Sequence, residues 1–132
     1  MTTIDLPFAA PPLSQNQLRR MNHWDEAKAK KTIIATAITA IRRAKTQPVD
    51  GPVLVTLHYR PATRRRFDAD GLAPTLKCCL DALTRSGLGN GPNVLADDDW
   101  THVPVAAIRV HPPVVGFGSA MWMTLEEAPD AA

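Results

Sequence analysis

Acidic residues in two separate segments are the part of this sequence whose types and spacing could do chemistry. Asp68 and Asp70 form an Asp-x-Asp directly after the basic run Arg64–Arg66, and the triplet Asp97–Asp99 follows later in the chain. Carboxylates clustered in this way repel one another unless a cation lies between them. Mg²⁺ takes oxygen ligands, commonly one or two carboxylates together with phosphate oxygens and water. Because arginines beside such a site indicate a polymeric phosphate, the pattern predicts metal-dependent cleavage of nucleic acid.

Each part of this pattern also has an ordinary structural explanation. An aspartate before a helix can cap it, so Asp68 and Asp70 could serve the helix that follows. Asp97–Asp99 could equally form a polar turn before a strand. The nuclease interpretation therefore depends on the combination of a basic run, an Asp-x-Asp, a lysine-bearing helix and an acidic triplet that precedes a strand.

The helix between the two acidic segments is expected to carry a basic residue on its exposed side. At about 100° per residue, its apolar side chains fall in one stripe, which consists of Leu72, Leu76, Cys79, Leu80 and Leu83. Asp70, Lys77 and Asp81 fall on the opposite side. Lys77 could therefore hold a phosphate oxygen or help to stabilise a leaving alkoxide. The alternative is a solvated face on which Lys77 and Asp81 form an i,i+4 pair.

Charge is distributed unevenly along the chain. Residues 1–66 hold 12 of the 15 Lys and Arg and 4 of the 13 Asp and Glu, for a net charge of +8. Residues 67–132 hold the other 3 basic and 9 acidic residues, for a net charge of −6. A basic surface for phosphates and an acidic pocket for metal suit a nuclease, although chance asymmetry on a solvated surface is the alternative. The residues expected to contact DNA are Asn16, Arg19, Arg20, Lys28, Lys30, Lys31, Arg64, Arg65 and Arg66.

Composition and motifs exclude several other classes of protein. No apolar run is long enough to span a bilayer, and residues 1–5 lack the shape of a signal peptide, so we expect no membrane partner and a cytoplasmic location. Cys78 and Cys79 are adjacent and are expected to be core residues. The four histidines lack zinc-binding spacing and are expected to be structural or at the surface. Gly87–Gly91 lacks the lysine of a P-loop, so no nucleotide cofactor is expected.

The predicted elements follow the order β-α-β-α-β-β. One helix is expected to start near Asn22, a good N-cap residue, and a second to run from about Asp70 to Ser86. The last two strands could form a hairpin around residues 112–118. The expected fold is a single α+β domain over residues 1–132, with a mixed β-sheet packed against two helices and a frayed tail from about residue 128. The predicted strands cover residues 3–9, 52–60, 103–111 and 120–126.

Two stretches of the sequence carry a recognisable family pattern. Residues 65–83 read Arg-Arg-Phe-Asp-Ala-Asp-Gly-Leu-Ala-Pro-Thr-Leu-Lys-Cys-Cys-Leu-Asp-Ala-Leu, and residues 94–98 read Val-Leu-Ala-Asp-Asp. This resembles the RusA family of Holliday-junction resolvases, especially its phage-type members. The family pattern is an Asp-x-Asp-Asn-Leu, a lysine followed by Asp-Ala-Leu, and later a hydrophobic-x-Asp-Asp. The loop at residues 11–16 also resembles the Pro-Pro-Ser-x-Asn opening loop of the family.

The resemblance implies a role for each matching residue. It makes Asp68, Asp70 and Asp98 the metal-binding carboxylates, and it makes Lys77 the basic catalytic residue. Asp97 becomes a flanking acid, and the triplet leaves Asp99 hard to separate from Asp98. The implied cofactor is Mg²⁺, with Mn²⁺ as an alternative. The sequence departs from the family pattern in two ways: Gly71 replaces the asparagine, and the lysine lies farther from the Asp-x-Asp than in the shorter members.

The sequence therefore predicts a Mg²⁺-dependent, structure-selective endodeoxyribonuclease that resolves four-way DNA junctions in recombination or repair. The resemblance further implies a homodimer in the cytoplasm of a bacterial or phage-infected cell, with one active site for each of two opposed strands. Two alternatives stay open. One is a catalytically weak DNA-binding accessory protein of the same fold, which Gly71 favours. The other is a general nuclease for branched or flapped DNA.

Overall fold

Four strands, three α-helices and one 3₁₀ helix make up the part of the chain that the structure, a computed structural model, describes: residues 1–84 and 92–128. The expected α+β fold with a mixed sheet is confirmed. The elements are β1 (Thr2–Leu6), α1 (Gln15–Arg20), α2 (His23–Arg43), β2 (Val53–Arg60), the 3₁₀ helix (Ala69–Leu72), α3 (Ala73–Leu83), β3 (Val105–Val110) and β4 (Ala120–Glu127). The predicted glycine loop at Gly87–Gly91, the helix end at Ser86 and most of the predicted frayed tail lie outside the described residues.

The strands are ordered β1-β4-β2-β3 in one sheet. β4 is antiparallel to both β1 and β2, and β2 is parallel to β3. The hairpin considered for residues 112–118 is therefore wrong, because β2 lies between β3 and β4. A parallel pair needs a long crossover between its strands, and this crossover contains α3. The connection after β3 then carries the chain across the end of β2 to β4.

One face of the sheet forms the core together with the helices. β2 lies within the predicted strand at residues 52–60, and its alternate residues Val53, Val55, Leu57 and Tyr59 are all buried on this face. The apolar side of α2 is also buried, from Ile33 to Ile41, whereas Ala44 is the exposed C-cap residue. The opposite face carries the outward positions of the same strands, and among the described residues no helix covers it.

Both cysteines lie in this core, as predicted. Cys78 and Cys79 are on the buried side of α3, and neither forms a disulfide. Burial disfavours the charged thiolate, so it raises the pKa of Cys78 to about 11 and that of Cys79 to about 12. Both side chains are therefore packing residues rather than nucleophiles.

The helix starts follow from local capping. Asn22 caps α2 as predicted, because its side-chain oxygen accepts a hydrogen bond from Asp25 N at 2.9 Å. The short helix α1 was not predicted, although Ser14 and Gln17 form a capping box at its start. The hydroxyl of Thr75 donates to Leu13 O at 3.2 Å, which ties the chain before α1 to the first turn of α3.

The second predicted helix starts later than expected. Residues 69–72 form a 3₁₀ helix, and α3 begins at Ala73 with Pro74 in its first turn, where a missing N–H is tolerated. Asp70 therefore belongs to the 3₁₀ helix and not to the helix that carries Lys77. Within the described ranges, no helix combines the length and the apolar character that crossing a bilayer requires.

Candidate functional site

Lys77 joins its own helix to the acidic triplet, which lies farther along the chain. It lies on the exposed side of α3, where its Nζ is 3.1 Å from Asp81 Oδ1 and 3.0 Å from Asp98 Oδ2. The hydrogen bond to Asp98, followed by that to Asp81, raises the pKa of Lys77. The same bond from Lys77 lowers the pKa of Asp98. The i,i+4 pair with Asp81 is therefore present, but Lys77 also reaches the acidic triplet.

The three aspartates of the triplet have different partners. Asp97 Oδ1 accepts a hydrogen bond from Asp98 N at 2.7 Å, which fixes the backbone before Asp98. Asp99 Oδ1 accepts from the hydroxyl of Thr101 at 2.8 Å and from the backbone and imidazole of His102, and the bond to the imidazole lowers the pKa of Asp99. Asp99 thus stabilises the polar turn that precedes β3. Asp98 is the member of the triplet that turns toward α3.

Asp68 and Asp70 lie between the arginine run and α3. Both are exposed, and Asp68 makes no side-chain cap hydrogen bond to the 3₁₀ helix, so helix capping does not account for it. Their backbone carbonyls accept from Gly71 N and Ala73 N respectively. The structure therefore leaves both carboxylates at the surface, immediately before the helix that carries Lys77.

The predicted metal ligands suit Mg²⁺ in type but do not stand together in this structure. All three are carboxylates, which are the oxygen donors that this cation prefers. Among residues 1–84 and 92–128, however, no three acidic, histidine or cysteine side chains form a group that could hold a metal ion. Asp98 is engaged with Lys77 instead. A shared metal site would require Asp98 to leave this ion pair.

The predicted DNA-binding residues lie on several elements. Arg64, Arg65 and Arg66 are exposed in the loop after β2 and line a groove of about 580 Å³. Arg19 and Arg20 are exposed at the end of α1, which packs against the 3₁₀ helix that contains Asp70. Basic residues therefore lie on two elements adjoining the exposed carboxylates.

The remaining candidates are on the N-terminal helices. Asn16 is exposed on α1, and Lys28 and Lys31 are exposed on α2. Lys30 is held by Glu26, with Nζ 2.8 Å from Oε1, in an ordinary i,i+4 pair. The positive charge of Lys30 is therefore already paired with the carboxylate of Glu26.

A histidine pair on the uncovered face of the sheet was missed by the sequence analysis. His58 Nδ1 lies 2.8 Å from His111 Nε2, and His58 Nε2 lies 2.8 Å from Thr124 Oγ1. Trp122 stacks on His58 and also contacts His111. Burial is the largest cause of the lowered pKa of both histidines. The alternation of β2 places His58 outward, but only the parallel register of β2 and β3 brings it to His111.

Comparison with known proteins adds no relative to this picture. No protein-family model matches the chain, and a search of curated proteins gives no match. The geometry described above and the sequence pattern are therefore the basis for a functional proposal.

Proposed function

We propose that this chain is a Mg²⁺-dependent, structure-selective endodeoxyribonuclease of the RusA type, which resolves four-way DNA junctions. The observation that carries the proposal is the contact of Lys77 with Asp98. The sequence pattern requires a lysine helix and an acidic triplet to serve one site. A 3.0 Å ion pair between these two segments supports that requirement, because Lys77 and Asp98 are 21 positions apart in the sequence.

In this proposal the acidic residues and Lys77 have separate tasks. Asp68, Asp70 and Asp98 would hold Mg²⁺, which when bound would activate a water molecule and stabilise the departing 3′ oxygen. Lys77 binds a non-bridging oxygen of the scissile phosphate once Asp98 has released it. Asp81 keeps the ammonium oriented during this exchange, because it is the second partner of Lys77. Asp97 positions Asp98 through its backbone.

The basic residues hold the DNA on both sides of the site. Arg64–Arg66 precede the carboxylates directly in the chain. Arg19 and Arg20 are brought near them because α1 packs against the 3₁₀ helix. Their proposed role is to contact phosphates, which fix the register of the DNA without reading its sequence. Lys28 and Lys31 extend this surface on α2. Asn16 is proposed to contact the backbone from α1.

We also propose that the active species is a homodimer in the cytoplasm of a bacterial or phage-infected cell. A four-way junction has near-two-fold symmetry, so a symmetric dimer can apply one site to each of two opposed strands. The main support for the dimer is the resemblance of the sequence to the RusA family. Trp122 is the aromatic residue of β4 that faces outward, whereas Met121, Met123 and Leu125 face the core.

A second candidate function has one observation in its favour. The ion pair with Lys77 already neutralises Asp98, and no group of three potential metal ligands is assembled within the described ranges. A catalytically weak protein that binds branched DNA without cutting it would need no such group. Gly71, where the family pattern has asparagine, favours the same candidate.

One cleavage experiment separates these functions. A labelled four-way junction and a linear duplex of the same sequence are incubated with the protein in Mg²⁺ or in EDTA. We expect nicking of the junction in Mg²⁺ alone, and loss of nicking but not of binding in Asp70→Asn and Asp98→Asn. Asp50→Asn, an exposed aspartate away from these segments, is the matched control and should cut normally.

The other outcomes favour the rival functions. Junction binding without any cut supports the accessory protein. Equal cutting of flapped or other branched DNA supports a general nuclease. Cleavage that continues undiminished in EDTA removes the metal mechanism altogether.

A further inference from the structure

An apolar turn projects from the connection between β3 and β4. Val114 O accepts a hydrogen bond from Phe117 N at 3.1 Å, and Gly116 has φ +87°, as the third residue of a type II turn requires. Val115 at the tip is 100% exposed and Phe117 is 63% exposed. Three exposed apolar side chains in one turn, Val114, Val115 and Phe117, form a candidate contact surface.

The surroundings of this turn are basic. Because β2 and β3 are parallel, the loops that leave their carboxyl ends lie at the same edge of the sheet. The groove of about 580 Å³ at this edge is lined by Arg64–Arg66 together with His111, Pro112 and Pro113, which lead into the turn. The segment that carries the apolar tip therefore begins in the groove that the three exposed arginines line.

Arg60 holds the turn in this position. Its guanidinium lies 5.7 Å from the centre of the Phe117 ring, and its Nη2 donates to Gly118 O at 3.3 Å. A cation over an aromatic face and a hydrogen bond to the following carbonyl restrict the base of the turn. Phe117 is thus presented in a fixed direction, with most of its ring still exposed.

The same edge of the sheet carries the candidate cleavage site. The chain runs from Arg66 directly to Asp68 and Asp70, and β3 packs against the 3₁₀ helix that contains Asp70. A nucleic acid held by the arginines would therefore meet both the carboxylates and the apolar turn.

We propose that the turn Val114–Phe117 is a wedge that enters the branch point of junction DNA while Arg64–Arg66 hold the adjoining phosphates. This inference rests on the proposed function for its substrate class and adds the element that distinguishes branched from linear DNA. Apolar side chains that enter a base stack must first unstack it, which is unfavourable in an intact duplex. At a branch point the stack is already interrupted, so the cost is smaller. A linear duplex gains only the arginine contacts.

The charge pattern favours this occupant over a lipid surface. Val115 and Phe117 are too little apolar area to anchor the chain at a bilayer by themselves. The groove is lined by three arginines, which are the cations that a phosphodiester backbone requires. An anionic lipid surface is retained as an outcome of the test.

The test measures equilibrium binding in EDTA, so that it is independent of cleavage. A fluorescent four-way junction and a linear duplex of equal length are titrated with wild type and with the double variant Val115→Ser, Phe117→Ser. We expect the double variant to lose about tenfold or more in junction affinity and to keep its duplex affinity and salt dependence. A 2-aminopurine at the branch point should brighten with wild type and not with the double variant.

Control variants exclude a general effect of losing apolar surface. Val105→Ser changes another exposed valine, at the start of β3, and should keep the wild-type preference. Phe117→Leu preserves an apolar tip and should retain most of the preference. Unchanged thermal unfolding of all variants is expected, because the altered side chains are exposed.

Several results would overturn the wedge. A double variant that prefers the junction as strongly as wild type does defeats it, whether or not the wild type cleaves. Binding to phosphatidylserine vesicles that depends on Val115 and Phe117, with an unchanged junction preference, assigns the turn to a lipid surface instead. Junction preference that depends on the turn, in a protein that never cuts, supports the wedge and counts against the proposed nuclease activity alone.

Discussion

Lys77 and Asp98 form an ion pair at 3.0 Å although they are 21 positions apart in the sequence, within the crossover from β2 to β3. The side chain of Lys77 is 62% exposed. Exposed pairs of this kind contribute about 0–1 kcal/mol to stability. The pair is therefore of little value to the fold, and its importance lies in bringing a lysine to the acidic triplet.

Replacing Lys77 with methionine should separate activity from stability. We expect Lys77→Met to reduce junction cleavage by about 10²-fold or more, because a charge that stabilises the transition state is lost. The melting temperature should change little, since the side chain is exposed. Lys45→Met, which removes an exposed lysine after α2, is the control and should leave cleavage unchanged. Normal cleavage by Lys77→Met would reduce the pair to an ordinary surface contact.

Gly71 offers a gain-of-function test of the family resemblance. A Cβ at this position would lie 3.6 Å from Phe67 Cζ, which is an ordinary van der Waals contact, so a side chain fits. Gly71→Asn restores the residue of the family pattern next to Asp70, and we expect it to raise cleavage several-fold. Gly71→Ala supplies the Cβ without the amide and is the matched control. Equal activity of the two variants would show that the amide has no role.

The histidine pair predicts a pH dependence of stability. The pKa values of His58 and His111 are lowered in the folded state, mainly by burial and then by positive neighbours that include Arg109. The unfolded state therefore binds protons more readily, and stability rises with pH. The contribution of the pair to stability should be fully present above the ordinary histidine pKa of about 6.5. It should be lost as the pH falls from there through the lowered pKa values of His58 and His111.

Urea unfolding between pH 7.5 and pH 5 measures this effect. The window lies above the range in which Asp98 and Asp99 titrate, because their pKa values are lowered from 3.8. His111→Gln should flatten the dependence, whereas His23→Gln, at the exposed start of α2, should not. Arg60 and Arg109 face the pair as cations and Glu126 faces it as an anion. Identical pH profiles for wild type and His111→Gln would rule out the pair as the source.

The arginine run predicts a specific salt dependence of DNA binding. Each phosphate contact that is lost should lower the slope of log affinity against log salt by about 0.9. Replacing Arg64, Arg65 and Arg66 together by alanine should therefore lower the slope by about 2 to 3 units. Lys45→Ala is the single-charge control and should leave the slope unchanged. Parental affinity and slope in the triple variant would make the run a solvated surface only.

The homodimer predicts both a mass and a cutting pattern. Sedimentation at micromolar concentration should give twice the chain mass of 14.4 kDa. Mixing wild type with an excess of Asp70→Asn should then give mostly singly nicked junctions, since each mixed dimer holds one working site. A monomeric mass together with paired cuts that survive the mixing would exclude the dimer.

Local signals in the sequence were enough for the elements that lie near the candidate site. The strand β2 and the cap at Asn22 depend on neighbours in the chain, and both were predicted correctly. The apolar stripe of α3 likewise indicates that Lys77 faces outward. The i,i+4 pair of Lys77 with Asp81 could be predicted because both residues lie on one helix. The contact of Lys77 with Asp98, however, depends on the tertiary structure.

Non-local relationships were not accessible in the same way. The short connection after β3 suggests a hairpin, but β4 pairs with β1 and β2 instead, and this pairing joins segments that are distant in the sequence. The contact of His58 and His111 depends on the parallel pairing of β2 with β3. Asp98 and Asp99 have separate roles because the side chain of Asp99 accepts hydrogen bonds within the turn before β3, whereas Asp98 accepts one from Lys77. α1 is the exception, since its capping box could have been recognised from Ser14 and Gln17.

The strand order determines when the protein can fold during synthesis. β4, the last strand along the described chain, lies between β1 and β2, so neither of these pairs fully until residues 120–127 have left the ribosome. A nascent chain that stops before β4 therefore exposes two unpaired strand edges, which favour aggregation. Folding of this sheet must be completed after translation of its last strand, and any chaperone that binds the nascent chain would find these edges open.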